Sequence, residues 1–183
     1  MSEQAIYVDN LSKWNRLARC LWMLTYVVLF RYSPRVGFQW WRRWLLQRFG
    51  AKLAKGANVY PSVKVWAPWN LEMGAFACLA EGVDCYNVAP IYLGKYATVS
   101  QRSFLCSASH EVSLLEKPLI HAPIRIEEHA WVCAEAFVGP GVTMGEGAVL
   151  AARGVAVRDL EAWGIYGGNP AKYLKQRVIK EQN

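Results

Sequence analysis

The sequence predicts an all-β solenoid, a triangular prism of short stacked strands, on three observations. An apolar residue recurs with period six, a small or β-branched residue recurs four places after it, and both breaks in the repeat contain proline. The first column runs Leu53, Val59, Val65, Leu71, Ala77 and Val83. It resumes after a register change at Leu93, Val99 and Leu105, and after a longer gap at Ile126, Val132, Val138, Met144, Leu150 and Ala156. The second column is filled in eleven of these fifteen hexads, by residues such as Ala57, Ala97, Ala130 and Ala148. A period of six fits neither an α-helix nor a single strand. It fits a short strand and a tight turn, three to a coil, with the apolar residue inside the prism and the small one near a corner. Each coil then satisfies its neighbour's backbone groups at about 4.8 Å spacing. Fifteen hexads make five coils.

The breaks are residues 84–92, with Pro90, and residues 111–123, with Pro118 and Pro123; the second reads as a loop leaving the prism. Interruptions of a rigid scaffold are where function is placed. The ends differ from the repeat. Residues 11–49 predict two helical segments, the second from Gln39 to Phe49, stopped by Gly50. Residues 164–170 (GIYGGNP) form a turn cluster, and Ala171 to Gln182 is expected to be a basic helix capping the open prism. The chain thus divides into a helical extension, residues 1–50, and a solenoid domain, residues 51–183, carrying the 111–123 loop and the closing helix.

Charge is unevenly placed. Residues 1–50 carry eight Lys and Arg against Glu3 and Asp9, whereas residues 51–183 carry thirteen basic against twelve acidic residues. The nearly neutral body argues against a nucleic-acid partner, which needs a basic stripe. Five cysteines without a CxxC spacing argue against a zinc site or a disulfide framework and fit reduced thiols in the cytoplasm. The apolar run Cys20 to Phe30 is eleven residues, against the roughly 20 a spanning helix needs, and no export signal is expected. Arginines interleaved with Trp14, Trp22, Trp40, Trp41 and Trp44 predict peripheral contact of residues 11–49 with the inner membrane face, through Arg42, Arg43 and Arg48. The alternative is that the apolar run caps the first coil; both roles can coexist.

Three histidines are present, His110, His121 and His129. His110 stands in Ser107-Ala108-Ser109-His110-Glu111, where the loop leaves the coil. An imidazole there suits proton removal at neutral pH. His129 is expected to face outward within the repeat.

The stretch SASHE, then a loop, then API-x-I-x-x-x-AW-x-x-AEAFVGPGVT-x-GEGAV-x-AARGV-x-x-x-D, resembles the colanic-acid-type polysaccharide O-acetyltransferases of the hexapeptide-repeat family. It is similar, more loosely, to the galactoside and maltose acetyltransferases. The resemblance runs from about Leu53 to Lys172, takes in the N-terminal extension as well, and implies a left-handed parallel β-helix, an exception to the right-handed crossover rule. It also implies a homotrimer with active sites between prisms. Acetyl-CoA is the implied donor, a sugar hydroxyl the acceptor, and no metal takes part.

The resemblance makes His110 the general base for direct transfer, with a backbone N–H or Ser109 as oxyanion donor. It sets Trp131 at the acetyl or acceptor pocket across a subunit boundary, and Asp84 and Asn87 at the acceptor. Ala80 stands where the family has a polar acceptor contact. Ala134, Ala152 and Gly154 are implied to line the pantetheine arm, and Arg158, with Lys172 or Lys175, the nucleotide end. Glu111 stands where the subgroup has Asp, either orienting His110 or simply solvated. Three alternatives remain: an amine acceptor, as on an amino sugar; an inactive scaffold; and a γ-class carbonic anhydrase. The last needs three converging imidazoles, and the histidine spacing does not offer the close pair on one loop that it requires.

Overall fold

A computed structural model describes residues 12–180; residues 1–11 and 181–183, with the last two positions of the expected closing helix, lie outside the described residues. Its body is a parallel β-helix of three sheets. Coil one is β1 (Lys52–Leu53), β2 (Asn58–Val59) and β3 (Lys64–Val65). Coil two is β4 (Leu71–Met73), β5 (Cys78–Leu79) and β6 (Asp84–Tyr86), and coil three is β7 (Ile91–Leu93), β8 (Thr98–Val99) and β9 (Phe104–Cys106). The arm β10 (Ala108–His110) and β11 (Leu119–His121) follows. Coil four is β12 (Ile124–Ile126), β13 (Trp131–Val132) and β14 (Phe137–Val138), and coil five is β15 (Thr143–Met144), β16 (Val149–Leu150) and β17 (Val155–Ala156). Leu160 begins a sixth turn by bridging to Met144, and β18 (Gly164–Gly167) continues it beside β16.

The apolar columns are the core. Every residue of the fifteen-member column is buried. The register of the second coil differs from the expectation, however. Leu53, Met73, Leu93, Ile126 and Met144 occupy equivalent places, so successive coils are 20, 20, 33 and 18 residues long. Two extra residues enter at the 3-10 turn Pro68–Asn70, before the predicted break, and two more between Tyr86 and Ile91. The inward strand positions of coil two therefore include Met73, Leu79 and Cys85, and Ala77 is a corner residue. The carbonyls of Ala77, Ala97, Ala130 and Ala148 accept from Asn58, Cys78, Thr98 and Trp131 N–H groups, forming one corner ladder.

The position just before it in sequence takes left-handed φ in every coil. It is filled by Gly56, Phe76, Tyr96, His129, Gly147 and Trp163, with φ between 58° and 81°. A non-glycine residue there costs about 1 kcal/mol. The rings offset part of that cost by stacking: Phe76 on Tyr96 at 5.3 Å and Tyr96 on His129 at 5.1 Å. Gly147 is required because a Cβ there would lie 2.5 Å from the Trp163 ring. His129 is thus a rung of an aromatic ladder.

The N-terminal helices close one end of the prism. They are α1 (Lys13–Thr25), continued by a π-helical turn, Tyr26–Phe30, and α2 (Gln39–Arg48). The first coil leaves one carbonyl row open on each sheet, and one side chain meets each. Gln47 Nε2 donates to Leu53 O at 3.1 Å, Arg42 Nε to Val59 O at 2.7 Å, and Trp22 Nε1 to Val65 O at 2.6 Å. Trp22, Phe30, Leu45 and Leu46 plug the apolar bore. Buried carbonyls without partners cost about 1–3 kcal/mol each, so this cap is a polar as well as an apolar device. Arg42 is 1% exposed and also donates to Ser33 Oγ, Pro34 O and Arg35 O. That corrects the expectation that Arg42 faces lipid.

Among the described residues the expected C-terminal helix does not form. Lys172–Gln176 is instead β19, antiparallel to β18. The edge of β18 offers unpaired backbone groups, and pairing with it outweighs the helical composition of the segment. The tail then turns back, and Arg177 Nη1 donates to the carbonyls of His129 and Gly147 at 2.9 and 2.8 Å.

Candidate functional site

The arm leaves the prism between the third sheet (β3, β6, β9, β14, β17) and the first (β1, β4, β7, β12, β15). Ser107 pins its root. Its hydroxyl donates to Tyr86 O at 3.0 Å and accepts from Ala89 N–H at 2.9 Å, while Ala122 N–H closes the base on Ser107 O at 3.0 Å. Residues 111–118 form the expected loop, and it is carried on a β-hairpin: Ala108, Ser109 and His110 pair with His121, Ile120 and Leu119.

His110 ends β10, half-buried, with Nδ1 2.7 Å from the carbonyl oxygen of Lys117. A carbonyl only accepts, so Nδ1 donates and the neutral ring carries its lone pair on Nε2. Lys117 holds φ 43°, a left-handed value unusual for lysine. Sequence reasoning missed this residue; Pro118 marks a turn, but nothing in the string aims a particular carbonyl. Glu111 is tied to Ser113. Its carboxylate accepts from Ser113 N–H at 3.0 Å and from the Ser113 hydroxyl, which hold it below the usual carboxylate range. His121 is exposed on β11.

Trp131 stands on the outer face of the second sheet, 43% exposed, its indole N–H donating to Ser100 Oγ at 2.8 Å. Ser100 is a second residue the sequence did not single out. Within one chain Trp131 and the His110 arm belong to different sides of the prism.

Asp84 lies half-buried on the outer face of the third sheet, whose β9 runs into the arm. Burial raises its pKa, opposed by Lys64 at 3.8 Å. Asn87 is different. It is fully buried, and its amide both accepts from Ala67 N–H at 2.9 Å and donates to Ala67 O at 2.6 Å. It holds the 3-10 turn of coil two and is not placed for an acceptor, which corrects the sequence expectation.

Of the residues expected along pantetheine, Ala134 and Ala152 share the corner between the second and third sheets in coils four and five. Left-handed positions there hold Arg102, Glu135 and Arg153. Glu135 pairs with both arginines, Arg153 Nε at 2.7 Å, and they hold its carboxyl below the usual range. Gly154 is turned inward. A Cβ on it would lie 2.7 Å from Leu150 Cδ1, and its N–H and carbonyl are used by Ala151 and Phe137. Its small size serves internal packing and not ligand approach, a second correction. Arg158 is exposed one corner further on, and Lys172 is exposed on β19. Among the described residues no three His, Cys, Asp or Glu side chains are grouped to hold a metal ion.

No protein-family model matches the chain. The chain is 37% identical over 161 residues to the "Putative colanic acid biosynthesis acetyltransferase WcaF" of Escherichia coli K12, covering 88% of each sequence. Its fold is that of a hexapeptide-repeat acetyltransferase from Vibrio cholerae, at TM-score 0.83 and 21% identity over 92% of this chain and 95% of that one. It also superimposes on a galactoside acetyltransferase in complex with coenzyme A, at TM-score 0.80 and 18% identity over 92% and 84%. The coil is left-handed, as in these acetyltransferases. The identity and coverage shared with the Escherichia coli relative show that the chain belongs to the hexapeptide-repeat acetyltransferases, alongside their colanic-acid-type members.

Proposed function

We propose that this enzyme moves an acetyl group from acetyl-CoA to a sugar hydroxyl of a polysaccharide or its precursor, with His110 as general base. The observation that carries the reading is the Nδ1 to Lys117 carbonyl bond, which assigns the lone pair of the neutral ring to Nε2. The donor is supported by family membership and by the coenzyme A complex of the galactoside acetyltransferase. The acceptor class is supported by the colanic acid relative.

The step balances without a covalent enzyme intermediate. The sugar oxygen attacks the thioester carbonyl carbon while its proton passes to His110 Nε2. The tetrahedral oxyanion takes a hydrogen bond from a backbone N–H near the arm or from Ser109. The C–S bond then breaks, the coenzyme A thiolate leaves, and the imidazolium returns the proton to it. Asp84 contacts the acceptor. Ala134 and Ala152 flank the pantetheine arm, with Arg158 and Lys172 toward the nucleotide phosphates.

The assembly is a homotrimer with three sites between prisms. What supports this is the separation of Trp131 and His110 onto different sides of one chain: a neighbour's second sheet must face the arm for both to serve one site. Use of acetyl-CoA sets the reaction in the cytoplasm. The test is acetyl-CoA turnover against a panel of glycans, sugar nucleotides and small amines, with the product bond identified. Alkali-labile esters support the reading, and amides alone overturn it in favour of an amine acceptor.

A further inference from the structure

We infer that the outer face of the N-terminal cap is a docking surface for an anionic lipid bilayer, a role separate from the transfer site. The cap helix is apolar on two opposite sides. Trp22, Tyr26 and Phe30 face the prism. Trp14, Leu17, Leu21, Leu24 and Val28 form a second stripe, spaced three and four residues apart, and all five are exposed, Leu24 by 64%. At 3.6 residues per turn this stripe lies on the side away from the coils. An apolar helix face is ordinarily covered. Here the prism covers only one side.

Trp40 and Trp44, one turn apart on α2, extend the exposed apolar surface. They are tied to the first helix through Trp41, which stacks on Trp44 at 5.1 Å and donates to Leu29 O at 3.1 Å. Much of the run Cys20 to Phe30 is therefore outward, against the expectation that it would pack inside.

Charge identifies the occupant. Residues 12–50 hold eight Lys and Arg and no Asp or Glu. Arg42 is consumed by the cap. Arg31, Arg43 and Arg48 are at least partly exposed on or beside the same helices. A protein partner needs a shaped, mixed-polarity surface. Tryptophans and leucines on a segment whose own charges are all basic match the headgroup boundary of an anionic bilayer, in which the apolar side chains insert and the guanidinium groups meet phosphates. No helix among the described residues is long and apolar enough to cross a membrane, so the cap lies on the surface.

The full-length chain is tested by flotation with vesicles of phosphatidylcholine alone and with about one-third phosphatidylglycerol, at low and high salt. Anionic vesicles are expected to bind it at least about tenfold more than neutral ones, with high salt reversing most of the gain. The Leu21→Glu, Leu24→Glu double variant is expected to lose flotation while keeping its circular dichroism and its sedimentation coefficient. Absence of flotation on anionic vesicles at low salt overturns the inference, as does undiminished flotation of the double variant. A changed sedimentation coefficient in that variant also overturns it, by showing the stripe to be a contact between protein chains.

Discussion

His110 Nδ1 and the carbonyl oxygen of Lys117 are 2.7 Å apart across the arm, and Lys117 holds that position in a left-handed conformation. The backbone of a turn thus selects the imidazole tautomer. Glycine adopts this conformation freely, whereas a β-branched residue resists it strongly. Lys117→Gly is expected to keep kcat within about threefold, and Lys117→Ile to lower it about tenfold or more with KM for acetyl-CoA unchanged. Steady-state kinetics of the two variants check this. Equal losses in both would show that the lysine side chain matters and not its carbonyl.

Trp131 and His110 serve one site only if they come from different chains. His110→Ala and Trp131→Ala subunits are each expected to be nearly inactive alone. Co-expressed, they form mixed trimers in which one interface keeps both native residues. Random mixing then restores about a quarter of wild-type activity. Recovery no greater than the sum of the two single variants would place both residues in one chain's site or leave Trp131 outside it.

Arg42 and Arg43 are neighbours in sequence and opposites in structure. Arg42 satisfies the open carbonyl of Val59 and three further acceptors from a buried position. Arg42→Met is expected to cost about 3 kcal/mol, since the buried Val59 carbonyl loses a charged donor and the ties to residues 33–35 are lost with it. Arg43→Met should stay within about 0.5 kcal/mol, the range of an ordinary surface change. Denaturant melts of the two proteins measure the difference.

Glu135, bonded to Arg153 and paired with Arg102, has its folded-state pKa lowered from 4.5. A depressed carboxylate contributes stability that is fully present above its unfolded pKa and is lost as pH falls through the folded one. Glu135→Gln is therefore expected to melt below the wild type at pH 7. The gap should narrow below about pH 4.5 and close at lower pH. A gap constant with pH would mean that the two arginines do not sense the carboxylate's charge.

The hexad was legible because burial demands an apolar residue at each inward position, and that demand is periodic. Its register across coil two was not. Ala77 and Val83 are as apolar and as buried as Leu79 and Cys85, so apolarity alone does not tell a corner from a strand centre. The segment Lys172–Gln176 reads as a helix by composition, and only the open edge of β18 makes it a strand. His110 stood out as the single imidazole at a coil exit. Asn87 looked like an acceptor contact because a polar residue in a repeat break does, whereas its amide is the internal tie of a turn. Gly154 likewise serves Leu150. The cap side chains Trp22, Arg42 and Gln47 carry no local signal, since their partners lie 43, 17 and 6 residues away along the chain.

The central claim is that His110 Nε2 takes the acceptor's proton during acetyl transfer. The direct measurement is the rate of acetyl transfer from labelled acetyl-CoA to an accepted glycan, by wild type and His110→Ala, with acetyl-CoA affinity measured alongside by calorimetry. The expected result is a fall in kcat of roughly 10² or more with little change in acetyl-CoA affinity. A His110→Ala enzyme that transfers acetyl with near-normal kcat would contradict the account.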